Sequence, residues 1–307
     1  MGLPLKSLIS CNSALLVSGL LAAHTSQAQG YVEGVGLSYE RLPLQFKNDS
    51  ATNFRAAVFR ANVIVLIPLG RDSTQSLLAG ANLELLDFSG SRPGFWVGAV
   101  YGFSPIVGYR RRLSPKTELT ALALPALNSE WRDARAANVT WGGVVRGTYR
   151  ASPRLLYRLT LGYRQQFYGP QYVLLLGLDW QLGQRWRAFG DLPTTFTISY
   201  SASPKVNVGF NLTGINTGYR LQVLDRYLQY QQAHYGLFAE GYLSAHWALR
   251  ATVAYALTRR IEVFAKDDKW PATLDYIGLG KAPTALSPAI EKGLAFRLAL
   301  SYRVPTR

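Results

Sequence analysis

Cysteine and methionine each occur once in 307 residues, and histidine three times. Beyond residue 28 the chain has no thiol, and its only histidines are His234 and His246. A disulfide framework is excluded, and two distant histidines offer no metal-ligand spacing, so neither a metal nor another cofactor is expected. Charge is sparse as well: 17% of residues are charged, against roughly 25% in ordinary globular proteins. Acids are the scarcer sign, with 18 Asp and Glu against 33 Lys and Arg and a net charge of +15. No amphipathic helix of useful length follows Gln29.

The first segment reads as a targeting sequence. Lys6 is its only charge, followed by the apolar run ALLVSGLLAA from Ala14 to Ala23 and then HTSQAQG. Ser26 and Ala28 fit the small-x-small cleavage rule, so residues 1–28 are expected to be a cleaved secretory signal and 29–307 one domain. The run is too short to span a bilayer as a helix. LISC, ending at Cys11, imitates a lipoprotein box, but the apolar core follows the cysteine instead of preceding it.

What is abundant is alternation with period two in segments of about ten residues, the mark of β-strands. Leu294, Phe296, Leu298, Leu300, Tyr302 and Val304 share one face of the last segment, with Arg297, Ala299, Ser301 and Arg303 on the other. Leu155, Tyr157, Leu159, Leu161 and Tyr163 oppose Arg154, Arg158, Thr160 and Arg164; Val139, Trp141, Val145 and Tyr149 oppose Asn138, Arg146 and Arg150. Trp247, Leu249, Val253 and Tyr255 likewise oppose Arg250 and Thr252. Strands of a soluble sandwich are usually five or six residues long, whereas runs of roughly 9–11 suit a tilted crossing of a hydrocarbon layer.

The alternation predicts an all-β fold, a transmembrane up-and-down antiparallel barrel of about 14 strands, with 12–16 as the range. The expected strands are 31–41, 54–67, 77–88, 96–112, 116–127, 137–151, 154–167, 172–182, 185–191, 194–202, 205–213, 234–244, 247–258 and 293–304. On this count three Ser-Pro turns (Ser114, Ser152 and Ser203), Gly183-Gln184 and Ala245-His246 fall on one side. The long connections 42–53, 128–136, 214–233 and 259–292 fall on the other. Short periplasmic turns and long outer loops are the outer-membrane pattern. Tyr149, Trp180, Trp186, Tyr200, Trp247 and Tyr302 lie close to the short turns, as an interfacial girdle would. Three features strain the scheme: Pro105 within a strand calls for a bulge or break, the strand at 185–191 is short, and the facing of Glu240 is ambiguous.

The order W…G…Y…SPRL…Y…G…P…LGLDWQL…RW…LP…SYS…SPKVNVGFNL…YRL, from about Trp141 to Leu221, resembles an uncharacterised family of outer-membrane β-barrels of Bacteroidota-type bacteria. The resemblance implies a barrel in the outer membrane, in contact with its lipid, and brings no catalytic motif. A departure is the ending: many such barrels finish on an aromatic residue, whereas this chain continues past Tyr302 to RVPTR.

The loop 259–292 is nearly neutral, so the excess positive charge belongs to strand faces assigned inward: Arg146, Arg150, Arg154, Arg158, Arg164, Arg250, Arg297 and Arg303. A basic pore favours anions, which makes a channel or transport barrel for small anionic solutes the leading reading. The same arginines would instead fill the lumen if paired with Glu33, Glu84, Asp179 or Glu240. Two alternatives remain: a closed interaction barrel using its outer loops, and an outer-membrane lipid hydrolase centred on His234. No catalytic constellation accompanies that histidine, so an enzyme is not expected, and no exposed basic-aromatic surface suggests nucleic acid. Oligomeric state is not legible.

Overall fold

The computed structural model describes residues 31–70, 74–131 and 138–305. The leader and its cleavage point lie outside them. The described residues form β1 (Tyr31–Phe46), β2 (Asp49–Leu69), β3 (Gln75–Gly90), β4 (Ala99–Arg112), β5 (Thr117–Ala123), β6 (Ala126–Ser129), β7 (Val139–Thr140), β8 (Gly142–Ser152) and β9 (Leu155–Gln166). They continue as β10 (Gly169–Gln181), β11 (Trp186–Leu192), β12 (Thr195–Ser203), β13 (Val206–Leu221), β14 (Arg226–Tyr242), β15 (Trp247–Ala265), β16 (Ala272–Leu274), β17 (Ile277–Leu279) and β18 (Leu294–Pro305). All neighbouring wall strands are antiparallel, and β1 closes the ring by pairing with both β2 and β18.

Fourteen wall strands result, because two pairs, β5–β6 and β7–β8, are single strands interrupted once and β16–β17 form a separate hairpin. β4 meets β5 from Val107↔Ala123 and β6 at Phe103↔Leu127 in one unbroken register. That register sets Pro105 opposite Pro125, in the gap between β5 and β6. Two residues without N–H donors face each other, so the break expected at Pro105 falls on its partner strand and β4 runs straight through. β7 and β8 continue one another across Trp141 in the same way.

The outside of the wall is apolar. Leu159, Leu161, Leu174, Leu176, Leu237, Val253 and Leu298 are all exposed on it, while alternate residues turn inward. This is the hydrocarbon-facing surface of a transmembrane barrel, and the polar side chains take the lumen. The short turns gather on one rim. There the serines cap the turns: Ser152 Oγ accepts from Arg154 N (3.2 Å), Ser203 Oγ from Lys205 N (3.3 Å), and Ser114 Oγ from Thr117 N (3.0 Å). Ser244 does the same for His246 N (3.2 Å) without a proline. The hydroxyl, as much as the proline, is what recurs in the turn phrase.

The other rim departs from expectation. The segments 42–53 and 214–233 are mostly strand, not loop, and β15 runs to Ala265. Along β1 the outward residues Leu37 and Tyr39 are exposed and apolar, but beyond Arg41 it is the inward Leu42, Leu44 and Phe46 that are buried. The apolar residues change face where the strand leaves the membrane: lipid takes the outer face below, and a protein core takes the inner face above. A reading that looks for one continuous phase stops at that point.

That core closes the mouth. Leu42, Phe54, Val58, Leu86 and Phe88 from the ends of β1–β3 share one apolar cluster with Tyr219, Leu221, Leu228, Ile261 and Val263 from the ends of β13–β15. The opposite face of β13–β15 is buried too. Gln229 Nε2 donates to Asn216 Oδ1 (3.1 Å), Gln231 Nε2 donates to the Tyr276 carbonyl (2.9 Å), and Tyr227 and Phe264 pack with Tyr168 and Trp270. The β13–β15 extension is therefore a middle layer, and the outer third of the barrel is filled.

Candidate functional site

Below this seal the lumen is polar, and its arginines come in sets around single carboxylates. Asp191 receives Arg158 Nε (2.8 Å) and Arg146 Nη2 (3.4 Å). Glu240, whose facing was ambiguous in sequence, points inward and is buried; it takes Arg250 Nε (2.8 Å) and both Nη1 and Nη2 of Arg303 (2.7 and 2.6 Å). Glu40 takes Arg60 and Arg297, each at 3.0 Å, and lies 3.3 Å from His234 Nδ1. Two guanidinium groups to one carboxylate satisfies the buried acid and leaves the Asp191 and Glu240 sets positive, whereas Arg60 is shared between Glu40 and Glu84. Arg187 is held bidentately by Asp179 at 2.9 and 2.7 Å.

Of the expected partners, Glu240 holds two of the eight arginines, whereas Asp179 holds Arg187 and Glu84 binds Arg60. Asp191 and Glu40 were not foreseen: Arg158 and Arg146 reach Asp191 from β9 and β8, and Arg297 reaches Glu40 through the β1–β18 closure. Six of the eight arginines singled out in the sequence, Arg146, Arg158, Arg164, Arg250, Arg297 and Arg303, line the interior at these sets or at the cavities described next. Arg150 faces inward near Arg112 and Glu118. Arg154 does not line the lumen: it sits exposed in the turn after Ser152, where the strand has already ended.

Among the described residues, two cavities inside the wall adjoin these arginines. The larger, of about 520 Å³, has Asn62, Asn82, Ser104 and Asn128 on the β2–β6 side and Arg164, Gln171 and Val173 on the β9–β10 side. A second, of about 310 Å³, is lined by Thr195, Thr197, Asn211 and Thr252 and holds Arg250, Arg297 and Arg303 together with Glu33, another of the expected partners.

The larger cavity's side wall is unusual. β11 and β12 stop low, so above Leu176↔Leu192 β10 has no β11 partner, and above Thr213↔Thr195 β13 has no β12 partner. The β16–β17 hairpin fills this notch. β16 pairs in parallel with β10 at Gln171 and Tyr172. Asp275 turns the hairpin at φ 49°, a conformation Asp tolerates. The Asp275 carbonyl accepts from Gln171 Nε2 and Asn216 Nδ2, both at 3.1 Å, and its Oδ1 accepts from Leu174 N (3.3 Å). Burial pushes the Asp275 carboxyl above its ordinary range. Tyr276 lies over Gly214, where a side chain would collide with its hydroxyl. The long connection expected at 259–292 is partly strand and is stitched to the barrel. Arg259 is buried in β15 and donates to the carbonyls of Pro43, Gly293 and Leu294 (3.0–3.1 Å), and Ser287 Oγ accepts from Val263 N at 3.0 Å.

Tyr149, Trp180, Trp186 and Trp247 project exposed from the outer face near the short-turn rim; Trp186 stacks near Tyr200 (4.8 Å between centroids) and Trp247 near Tyr302 (5.2 Å). His246 lies in its turn with Nδ1 3.1 Å from the Arg303 carbonyl. His234 is not at an outer rim: its ring is buried inside the lumen against Glu40, out of reach of lipid. Among the described residues no three His, Cys, Asp or Glu form a metal-binding group.

No family model and no curated protein matches the chain. Solved structures do show likeness. An outer membrane channel from Pseudomonas putida F1 aligns over 88% of this chain and 94% of its own at 10% identity, TM-score 0.46. A variant of the TodX monoaromatic hydrocarbon channel aligns over 95% and 94% at 12% identity, TM-score 0.46. The NanC porin aligns over 88% and 100% at 9% identity, TM-score 0.39. At such distances the lining of a lumen is each barrel's own.

Proposed function

We propose that this chain is an outer-membrane transport barrel, exported by residues 1–28, whose outer mouth is shut in the state described and whose lumen favours anions. The observation that carries the reading is the pair of polar cavities beneath the seal. A barrel serving only as a scaffold fills its interior with packed side chains. Here Asn, Thr and Arg line open space, and the carboxylates at Asp191 and Glu240 are each outnumbered by guanidinium groups. Basic linings select anions by lowering the barrier to their passage. Opening requires the β13–β15 layer to part from β1–β3, or the β16–β17 hairpin to leave its notch.

The filled mouth favours a second reading, a closed interaction barrel. Solute release from proteoliposomes separates the two. Transport predicts faster release of small anions than of cations of equal size, and faster still when Tyr276→Gly loosens the hairpin. Tight vesicles with both the native chain and that variant would favour the closed barrel.

A further inference from the structure

Most arginines at the carboxylate sets are ion-paired, and Arg164 differs from them. Arg164 lines the larger cavity, and among the described residues no carboxylate lies within ion-pairing distance of it and no hydrogen bond reaches its guanidinium. Glu84 is within electrostatic reach, but its oxygens are held by Arg60 Nε and the Tyr219 hydroxyl. A guanidinium enclosed without a partner is costly, and an incoming anion offsets that cost.

Across the cavity the wall is built of amides and hydroxyls in register. Asn62 pairs with Asn82, and Asn82 with Ser104, on three adjacent strands. In the next row Glu84 and Asn128 flank Gly102. A side chain at Gly102 would press on Asn128 Oδ1, so its absence keeps the amide free to face inward. Each Asn presents a donor and an acceptor on one rigid head, which matches a hydroxyl that both gives and receives. Val144, Val173 and Leu175 supply apolar wall for carbon. The volume of about 520 Å³ falls within the roughly 300–1,000 Å³ of small-molecule sites.

We propose that this cavity binds a small hydroxyl-bearing carboxylate, with Arg164 holding the carboxylate and Asn82 and Ser104 of the row holding hydroxyls. Asn62 of that row is engaged by Glu33. A planar carboxylate fits the guanidinium fork. One unmatched arginine beside Glu84 favours a single negative charge over two. The inference rests on the transport reading for its purpose, since it names the class of cargo, but binding is measured independently of flux.

The test is calorimetric titration of the detergent-solubilised barrel with D-gluconate, glucitol and propionate. It is repeated on Tyr276→Gly, which opens the cavity at its side so that access is not limiting. Gluconate is expected to bind at one site, more tightly than either glucitol, which lacks the carboxylate, or propionate, which lacks the hydroxyls. Arg164→Gln is expected to weaken gluconate roughly 10- to 100-fold, the loss of a charged hydrogen-bonding partner. Should Arg164→Gln fail to fold, as judged by its heat-modifiable migration, Asn82→Leu replaces it and must also weaken gluconate. No binding by either the native chain or Tyr276→Gly, equal binding of glucitol, or an affinity unchanged in the variants would overturn the assignment. Anion release from vesicles without gluconate binding would leave transport standing and remove this site; binding without release would do the reverse.

Discussion

Replacing Leu228 by Ala tests whether the apolar seal is the gate. Leu228 is fully buried on the middle layer, facing the cluster that includes Leu42, Leu86 and Phe88. Its contacts lie above the membrane, so water-based energetics apply. A buried Leu→Ala change costs about 2–5 kcal/mol. At about 3 kcal/mol, and about 1.4 kcal/mol per decade, the ratio of open to shut barrels rises about 100-fold if parting of the layers breaks these contacts. The assay is open probability of single barrels in a planar bilayer. Leu176→Ala is the control, because Leu176 faces lipid and is 63% exposed. The prediction is many more openings for Leu228→Ala, with unit conductance unchanged, and none of this for the control. An unchanged open probability in a variant that migrates as a folded barrel would refute the seal as gate and shift attention to the hairpin notch.

Further outcomes follow from the same contacts. Glu240→Gln leaves Arg303, only 5% exposed at its side chain, beside Arg250 without the shared carboxylate; breaking a buried pair costs roughly 3–5 kcal/mol, and partial wetting of the lumen places the loss near the lower figure, read as an earlier urea midpoint. Asp275 has a folded-state pKa raised by burial, so the folded chain binds more protons than the unfolded one between the ordinary and the raised value, and docking of the β16–β17 hairpin weakens as pH rises through that window. Protection of Leu174 N, which donates to Asp275, measured relative to the intrinsic exchange rate at each pH, is expected to be greatest at acid pH, with this pH dependence of protection lost in Asp275→Asn. Ser152→Ala removes the turn acceptor of Arg154 N and is expected to cost about 1 kcal/mol, a typical single hydrogen bond, without altering open probability.

The membrane-facing part of the wall was legible because lipid imposes one rule on every strand. Leu294, Phe296 and Leu298 face out and Arg297 faces in whatever their neighbours are. Where that solvent ends, so does the legibility. Leu42 and Phe46 obey a protein core instead, and the stretch from Arg226 to Gln232 shows no alternation because both its faces are covered. The inward arginines could be found from strand parity alone. Their partners could not: Arg158 meets Asp191 across β10, and Arg303 meets Glu240 across β15, through register that no local pattern records. Arg154 was misplaced by one step, since a turn capped by Ser152 ends the strand before it. Nothing in local sequence separates Arg164 from Arg158; only the position of every carboxylate does.

The central claim is that the lumen carries anions when the mouth opens. It is tested most directly by the reversal potential of Leu228→Ala barrels in a planar bilayer under a potassium chloride gradient. The account predicts a potential of the sign set by chloride, shifting toward zero when Arg250→Gln and Arg297→Gln are combined. A potential of the sign set by potassium would contradict it.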